Sequence, residues 1–145
     1  THVDASKQSL DWAHENAKLS EVGEDKIRWI LDDVLTFVKR EARRGAKYDG
    51  IILDPPAFGR GAKGEVWKIE EDFQTLLESL KELLSDKSGS FFLLNGYAAG
   101  YASCAFAQAV ESVFGNVDGE SGEFHIKEST GERIIPSGIY VRFVR

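Results

Sequence analysis

The segment Asp54-Pro55-Pro56-Ala57-Phe58 says more about chemistry than any other part of this sequence. Its double proline fixes two φ angles and removes two N–H donors. What remains is the Asp54 carboxylate and its neighbouring carbonyls, presented as acceptors in a stiff frame. Such a frame suits a planar base that carries an amino group, with Phe58 free to stack on the face of the ring. The plainer reading is a rigid turn that stops a strand. Three further polar residues close apolar runs in the same manner: Asp4, Asp32 and Asn95. A strand-terminal Asp is often only a helix cap, and that is the reading for Asp33.

The elements that would position these residues alternate short apolar runs with amphipathic helical stretches, the pattern of α/β units around a parallel sheet. Residues 1–4 read as the tail of a strand, followed by a helix that Ser6 can cap and whose Leu10, Ala13 and Ala17 share a face. A strand over residues 27–31 precedes a helical stripe of Val34, Phe37, Val38 and Ala42 that ends at Gly45. Residues 48–53 form the next strand, stopped by the two prolines, which no central strand could contain. A mobile loop is expected from Gly59 to Lys68, then a helix carrying Ile69, Phe73, Leu76, Leu77, Leu80, Leu83 and Leu84. A strand at 91–94 and a helix lined by Ala102, Ala105, Phe106, Ala109, Val110 and Val113 follow. Residues 124–127 and 139–144 leave no room for a crossover helix between them, so they should pair antiparallel.

In an open α/β sheet, ligands bind beyond the carboxyl ends of the strands, close to where the strand order reverses. Asp4, Asp32, Asp54 and Asn95 would then gather into one crevice. Asp4 closes a run that leads straight into a capped helix, the place of an acid that accepts from both ribose hydroxyls. Asp32 lies one strand farther along the edge, where an adenine amino group would fall.

With VDAS and LDDV upstream and NGY downstream, DPPAF resembles the class I S-adenosylmethionine-dependent methyltransferases. The likeness is greatest to the bacterial group that modifies bases of 23S ribosomal RNA and carries a DPP-x-F signature. It extends to the closing IPSGIYVRF, which resembles that group's last strand. The resemblance implies a Rossmann-like, doubly wound sheet with an antiparallel C-terminal strand pair. Residues 1–145 would be a single methyltransferase domain, the C-terminal part of a catalytic domain. It further implies S-adenosylmethionine as cofactor, held by Asp4, Ala5, Asp32, Asp33 and Asp54, and RNA, ribosomal by expectation, as partner. Asp54, Pro55, Pro56 and Phe58 would form the catalytic frame. Phe58, Arg60, Lys63, Asn95 and Tyr97 would contact the substrate.

Two departures from the family pattern carry consequences. The family begins with a strand and a glycine-rich turn that cradles the methionine end of the cofactor, and this sequence has no counterpart. That strand lies between those ending at Asp4 and Asp54, so these two should stand apart by about two strand spacings, roughly 9 to 10 Å. An upstream segment is expected to complete the cofactor site and the RNA contacts. Secondly, the 5-methylcytosine enzymes of the group place a nucleophilic cysteine just after the strand that here precedes Asn95-Gly96-Tyr97. Cys104 comes about two helical turns later, so direct transfer to a base nitrogen is the expectation.

Two rival functions remain. The residues Gly59 to Gly64 match G-x-G-x-x-G, the signature of a nicotinamide-dependent oxidoreductase when it opens a helix directly after a strand. The chain would otherwise be a catalytically inactive binding fragment.

Composition narrows the field. A net charge of −6 with pI near 5.1 argues against a long nucleic-acid footprint from charge alone, although residues 39–47 hold five basic side chains against one acidic. A solvated helix face is the plainer reading of that cluster, and Arg60, Lys63 and Lys68 form a second one. No apolar run approaches the roughly 18 residues that a membrane span needs. The single cysteine rules out an internal disulfide and makes a reducing cytoplasm the expected compartment. His2, His14 and His125 lack metal-ligand spacing, and no metal is expected.

Overall fold

Twelve elements, ten of them in the expected order, are found in a computed structural model that describes residues 1–61, 64–97 and 101–145. Strand β1 (His2–Asp4) leads into α1 (Lys7–Leu19), β2 (Trp29–Leu31) and α2 (Val34–Arg43). Next come β3 (Gly50–Leu53), β4 (Phe58–Arg60), β5 (Val66–Lys68) and α3 (Ile69–Leu83). The chain closes with β6 (Phe91–Gly96), α4 (Ser103–Phe114), β7 (Gly119–Lys127) and β8 (Ile134–Val144).

Local chemistry accounts for the helix starts. The Ser6 hydroxyl accepts from the Ser9 N–H at the head of α1, and the Asp33 carboxylate accepts from the Thr36 N–H at the head of α2. Each satisfies one of the donors that an α-helix leaves open in its first turn. Helix α3 has no side-chain cap of this kind, but Glu70, Glu71 and Asp72 place negative charge where its dipole is positive.

Strands β1 and β2 pair in parallel, and β3 and β6 pair in parallel with Leu53 beside Leu94. Strand β8 runs antiparallel between β6 and β7, so the four-stranded sheet has the order β3-β6-β8-β7. Gly50 sits where a Cβ would lie 2.3 Å from the Phe91 ring, so a larger residue there would force that ring to move. Among the described residues no strand pairing joins β1 to β3, in keeping with the seam expected there.

One face of the four-stranded sheet carries the core. Phe92 and Leu94 of β6 and Val141 and Phe143 of β8 are buried with the α3 stripe and with Phe106, Val110, Val113 and Phe114 of α4. The rings of Phe92, Phe114 and Phe143 lie 5.0 to 5.6 Å apart, centroid to centroid. Leu76 and Leu77 have no exposed surface, and burial of each contributes on the order of 2 kcal/mol. The other face is partly open: Ile52 is 70% exposed and Val144 64%. A sheet with parallel strands normally has both faces covered.

Three expectations need correction. The stretch from Gly59 to Lys68 is not simply a loop, because Phe58–Arg60 and Val66–Lys68 form an antiparallel hairpin with Gly59 opposite Trp67. The richness in glycine and lysine disguised an alternating V-W-K strand. The terminal strands also extend beyond residues 124–127 and 139–144, since β7 starts at Gly119 and β8 at Ile134. Finally, the strands predicted from residues 27 and 48 begin at Trp29 and Gly50. Tyr48 keeps only an isolated bridge to Leu84.

Candidate active site

Polar residues close the parallel strands in two adjacent pairs. In the first, the Asp32 N–H donates to the Asp4 carbonyl at 3.2 Å, so the two acids lie side by side at the ends of β2 and β1. One Asp4 carboxylate oxygen accepts from the Ser6 N–H at 2.7 Å, which orients the side chain at the start of α1. Asp4 and Ala5 are both half-buried. Asp32 is more heavily engaged. One of its oxygens accepts from the Asp33 N–H at 3.0 Å and the other from the Arg40 guanidinium at 2.7 Å. Asp33 spends its own side chain on capping α2.

The second pair is Asp54 and Asn95. They follow Leu53 and Leu94, which are register partners, and the Asn95 amide donates to one Asp54 oxygen at 3.0 Å. Asp54 is exposed, whereas the Asn95 side-chain carbonyl oxygen is buried with no hydrogen-bond partner among the described residues. Glycine at 138 keeps the cover over this amide thin: a Cβ there would lie 3.4 Å from the Asn95 oxygen and 2.9 Å from the Gly96 carbonyl.

The two prolines behave as their chemistry dictates, with Pro55 buried and Pro56 at the surface. Their brace escaped the sequence reading. Trp67, buried on β5, donates from its indole nitrogen to the Pro56 carbonyl at 2.6 Å, and the Ile69 N–H donates to the Ala57 carbonyl. The β4–β5 hairpin is thus a buttress for the Asp54 frame. A tryptophan opposite a glycine, just ahead of a helix, was the available signal.

Two aromatic side chains stand open near Asp54. Phe58 is 54% exposed and Tyr97 80%, one beyond the end of β3 and the other just past β6. The Arg60 guanidinium lies 6.0 Å from the Phe58 ring centroid. Lys63 lies outside the described residues. Cys104 is exposed in the first turn of α4, well removed in sequence from the strand end that Asn95 occupies. The glycine series does not open a helix. Gly59 belongs to β4, and the chain passes through β5 before α3 begins, so the nicotinamide fingerprint lacks its geometry.

The basic cluster at residues 39–47 is mostly exposed, although three of its side chains are engaged within the fold. Arg40 pairs with Asp32, Arg44 with Glu41, and Lys47 donates to the Glu82 and Leu84 carbonyls.

Comparison with known proteins places this geometry. A solved SAM-dependent methyltransferase from Agrobacterium tumefaciens superposes on 99% of the chain with a TM-score of 0.92 and 34% identity. The fold is that of a class I methyltransferase. A second methyltransferase structure, complexed with SAH, covers 98% of the chain with a TM-score of 0.73 at 22% identity and supports the fold alone. Among curated proteins, ribosomal RNA large subunit methyltransferase K of Neisseria meningitidis is 28% identical over 94 residues, or 64% of this chain. Ribosomal RNA large subunit methyltransferase I of Salmonella arizonae is 39% identical over 56 residues. The chain spans 27% and 14% of those two relatives and 48% of the Agrobacterium protein. No family model matches it. No helix among the described residues is long and apolar enough to cross a membrane.

Proposed function

We propose that this chain supplies the base-reading side of an S-adenosylmethionine-dependent methyltransferase that acts on a nucleic-acid base, with ribosomal RNA as substrate. The observation that carries this reading is the Asp54 frame. An exposed carboxylate stands at the end of a parallel strand, braced through Pro56 by Trp67 and accompanied by the open rings of Phe58 and Tyr97. An acceptor in a rigid mount, with exposed aromatic rings on the segments that follow the two strands, suits an unstacked base that offers an amino group. Arg60, beside Phe58, is placed for a backbone phosphate.

Asp4 fits the cofactor. Its carboxylate is half-buried at the carboxyl end of β1 and is oriented by the Ser6 N–H, an arrangement suited to the hydroxyls of a ribose. Asp32, held by Arg40, then borders the adenine side together with Ala5 and Asp33. S-adenosylmethionine supplies an activated methyl group on a sulfonium. The protein's task is to hold the attacking base nitrogen in line, chiefly through Asp54, and to keep the ring fixed by stacking. Asn95-Gly96-Tyr97 offers no thiol after β6, so transfer is direct.

The unpaired flanks of β1 and β3 and the partly open sheet face favour a further segment of the same protein that fills the seam and covers Ile52 and Val144. Residues 1–145 would then be the C-terminal part of a cytoplasmic catalytic domain. The test is transfer of tritiated methyl groups from S-adenosylmethionine to ribosomal RNA by the intact protein, using RNA from cells that lack the gene. Incorporation is expected, with adenosylhomocysteine and not NAD raising the melting temperature. Stabilisation by NAD without incorporation would end this reading.

A further inference from the structure

Asn95 carries an energetic cost that its position in the sheet does not explain. It lies on β6 with Phe91 and Leu93, on the face opposite the buried Phe92 and Leu94. Its amide nitrogen bonds to Asp54, but its side-chain carbonyl oxygen is buried without a donor among the described residues. A buried acceptor left unpaired costs about 1 to 3 kcal/mol. An apolar residue at this site would avoid that penalty. Among the described residues, the side-chain hydrogen bond Asn95 makes in return is the 3.0 Å bond across the strand ends to Asp54.

That bond is directional. An ionised carboxylate only accepts, so the amide must turn its nitrogen toward Asp54 and its oxygen away. One Asp54 oxygen is thereby occupied and the side chain held in place, while the other oxygen stays available at an exposed position. Gly138, at φ +115, lets β8 pass close over the amide. Fixed by its strand and roofed by β8, the amide is a rigid mount for a carboxylate that has no cation bonded to it among the described residues.

We propose that Asn95 is a positioning residue for Asp54. It directs the free Asp54 oxygen at the amino group of an adenine, cytosine or guanine, which makes the site selective for amino-bearing bases over uracil. Uracil offers only a carbonyl at the corresponding ring position and would face the carboxylate with like partial charge. This inference rests on the methyltransferase reading above.

The test uses the intact protein with tritiated S-adenosylmethionine and total ribosomal RNA from cells that lack the gene. In Asn95→Leu, kcat should fall roughly 10- to 100-fold, the scale on which a misplaced reacting group acts. Adenosylhomocysteine affinity should hold, and the melting temperature should stay level or rise because the orphaned acceptor is gone. Asn95→Ser, which keeps a donor, should recover part of kcat. Nucleoside analysis of the labelled RNA should place the methyl group on adenosine, cytidine or guanosine. Label on uridine, or kcat unchanged in Asn95→Leu, overturns the inference while the methyltransferase reading stands. A fall in melting temperature and in adenosylhomocysteine affinity together with kcat would make Asn95 structural and also overturn it. No incorporation by the wild-type protein overturns the underlying reading, and this one with it.

Discussion

Two carboxylates in this molecule, Glu41 and Asp54, have opposite surroundings. Glu41 is 3% exposed on α2, and every approach to it is paired: Arg28 at 3.0 Å, Arg44 at 3.2 Å and the Tyr48 hydroxyl at 2.7 Å. The Arg28 guanidinium, followed by the Tyr48 hydroxyl, holds the Glu41 carboxyl down at about 2. Burial, and then the bond to Glu41, push the Tyr48 hydroxyl up. Among the described residues, Asp54 stands exposed with a single neutral side-chain donor, next to an amide whose own oxygen is unsatisfied. A buried charge that serves the fold is surrounded until nothing is left to bind. The exposed Asp54 carboxylate, held at one oxygen, keeps acceptor capacity at the other. Substitutions at these two sites should therefore fail in different ways.

The largest effect is expected at Asp54. In the intact protein Asp54→Ala should lose on the order of a hundredfold or more in turnover, as positioned catalytic groups do. Its melting temperature should hold within about a degree, because no buried partner loses more than one hydrogen bond. Steady-state kinetics beside thermal denaturation checks both halves. A melting temperature lowered by several degrees would erase the contrast with Glu41.

Glu41→Gln should show the reverse, with stability falling by roughly 1 to 3 kcal/mol and turnover at low temperature retained. The wild-type protein adds a pH signature. The Glu41 carboxyl titrates near 4.5 in the unfolded chain and near 2 in the folded one, so the native state favours the ionised form. Its contribution is fully present above about pH 4.5 and is lost as pH falls from there through about 2. Urea denaturation at pH 6, 4 and 3 should show the two proteins converging in stability as the acid range is entered. A constant difference across that range would remove Glu41 as the cause.

Trp67→Phe tests whether the Asp54 mount depends on the hairpin. Losing the indole bond to Pro56 should cost about 1 kcal/mol and lower turnover several-fold, with little change in cofactor affinity. The smallest effect is expected at Cys104, which is exposed on α4. Cys104→Ser should leave turnover within about twofold, since no thiolate adduct is needed for attack by a nitrogen. Abolished turnover, or an RNA adduct trapped on Cys104, would restore a cysteine mechanism.

How much of this was readable beforehand depended on whether the signal was local. The Ser6 and Asp33 caps, the α3 stripe from Ile69 to Leu83 and the stop at Pro55-Pro56 depend on residues within a few positions of each other, and each appeared where expected. The β4–β5 hairpin was obscured because glycine and lysine favour loops, whereas pairing with Phe58–Arg60 and the burial of Trp67 outweigh that preference. Neither force is visible in composition.

The candidate site divides along the same line. The residue types at Asp4, Asp32, Asp54 and Asn95, and their placement at strand ends, are properties of the sequence itself, because a period of two and a proline stop are written in adjacent residues. Which of these acids is open was decided by the tertiary structure alone. Arg40 turns back on Asp32 from the following helix, and Asn95 reaches Asp54 from 41 residues away. Ion pairs and hydrogen bonds form between atoms that packing brings together, and packing is a property of the whole chain. The sequence therefore determined the order of elements and the acids at their ends, and the fold determined that Asp32 is paired with Arg40 while Asp54 stays exposed.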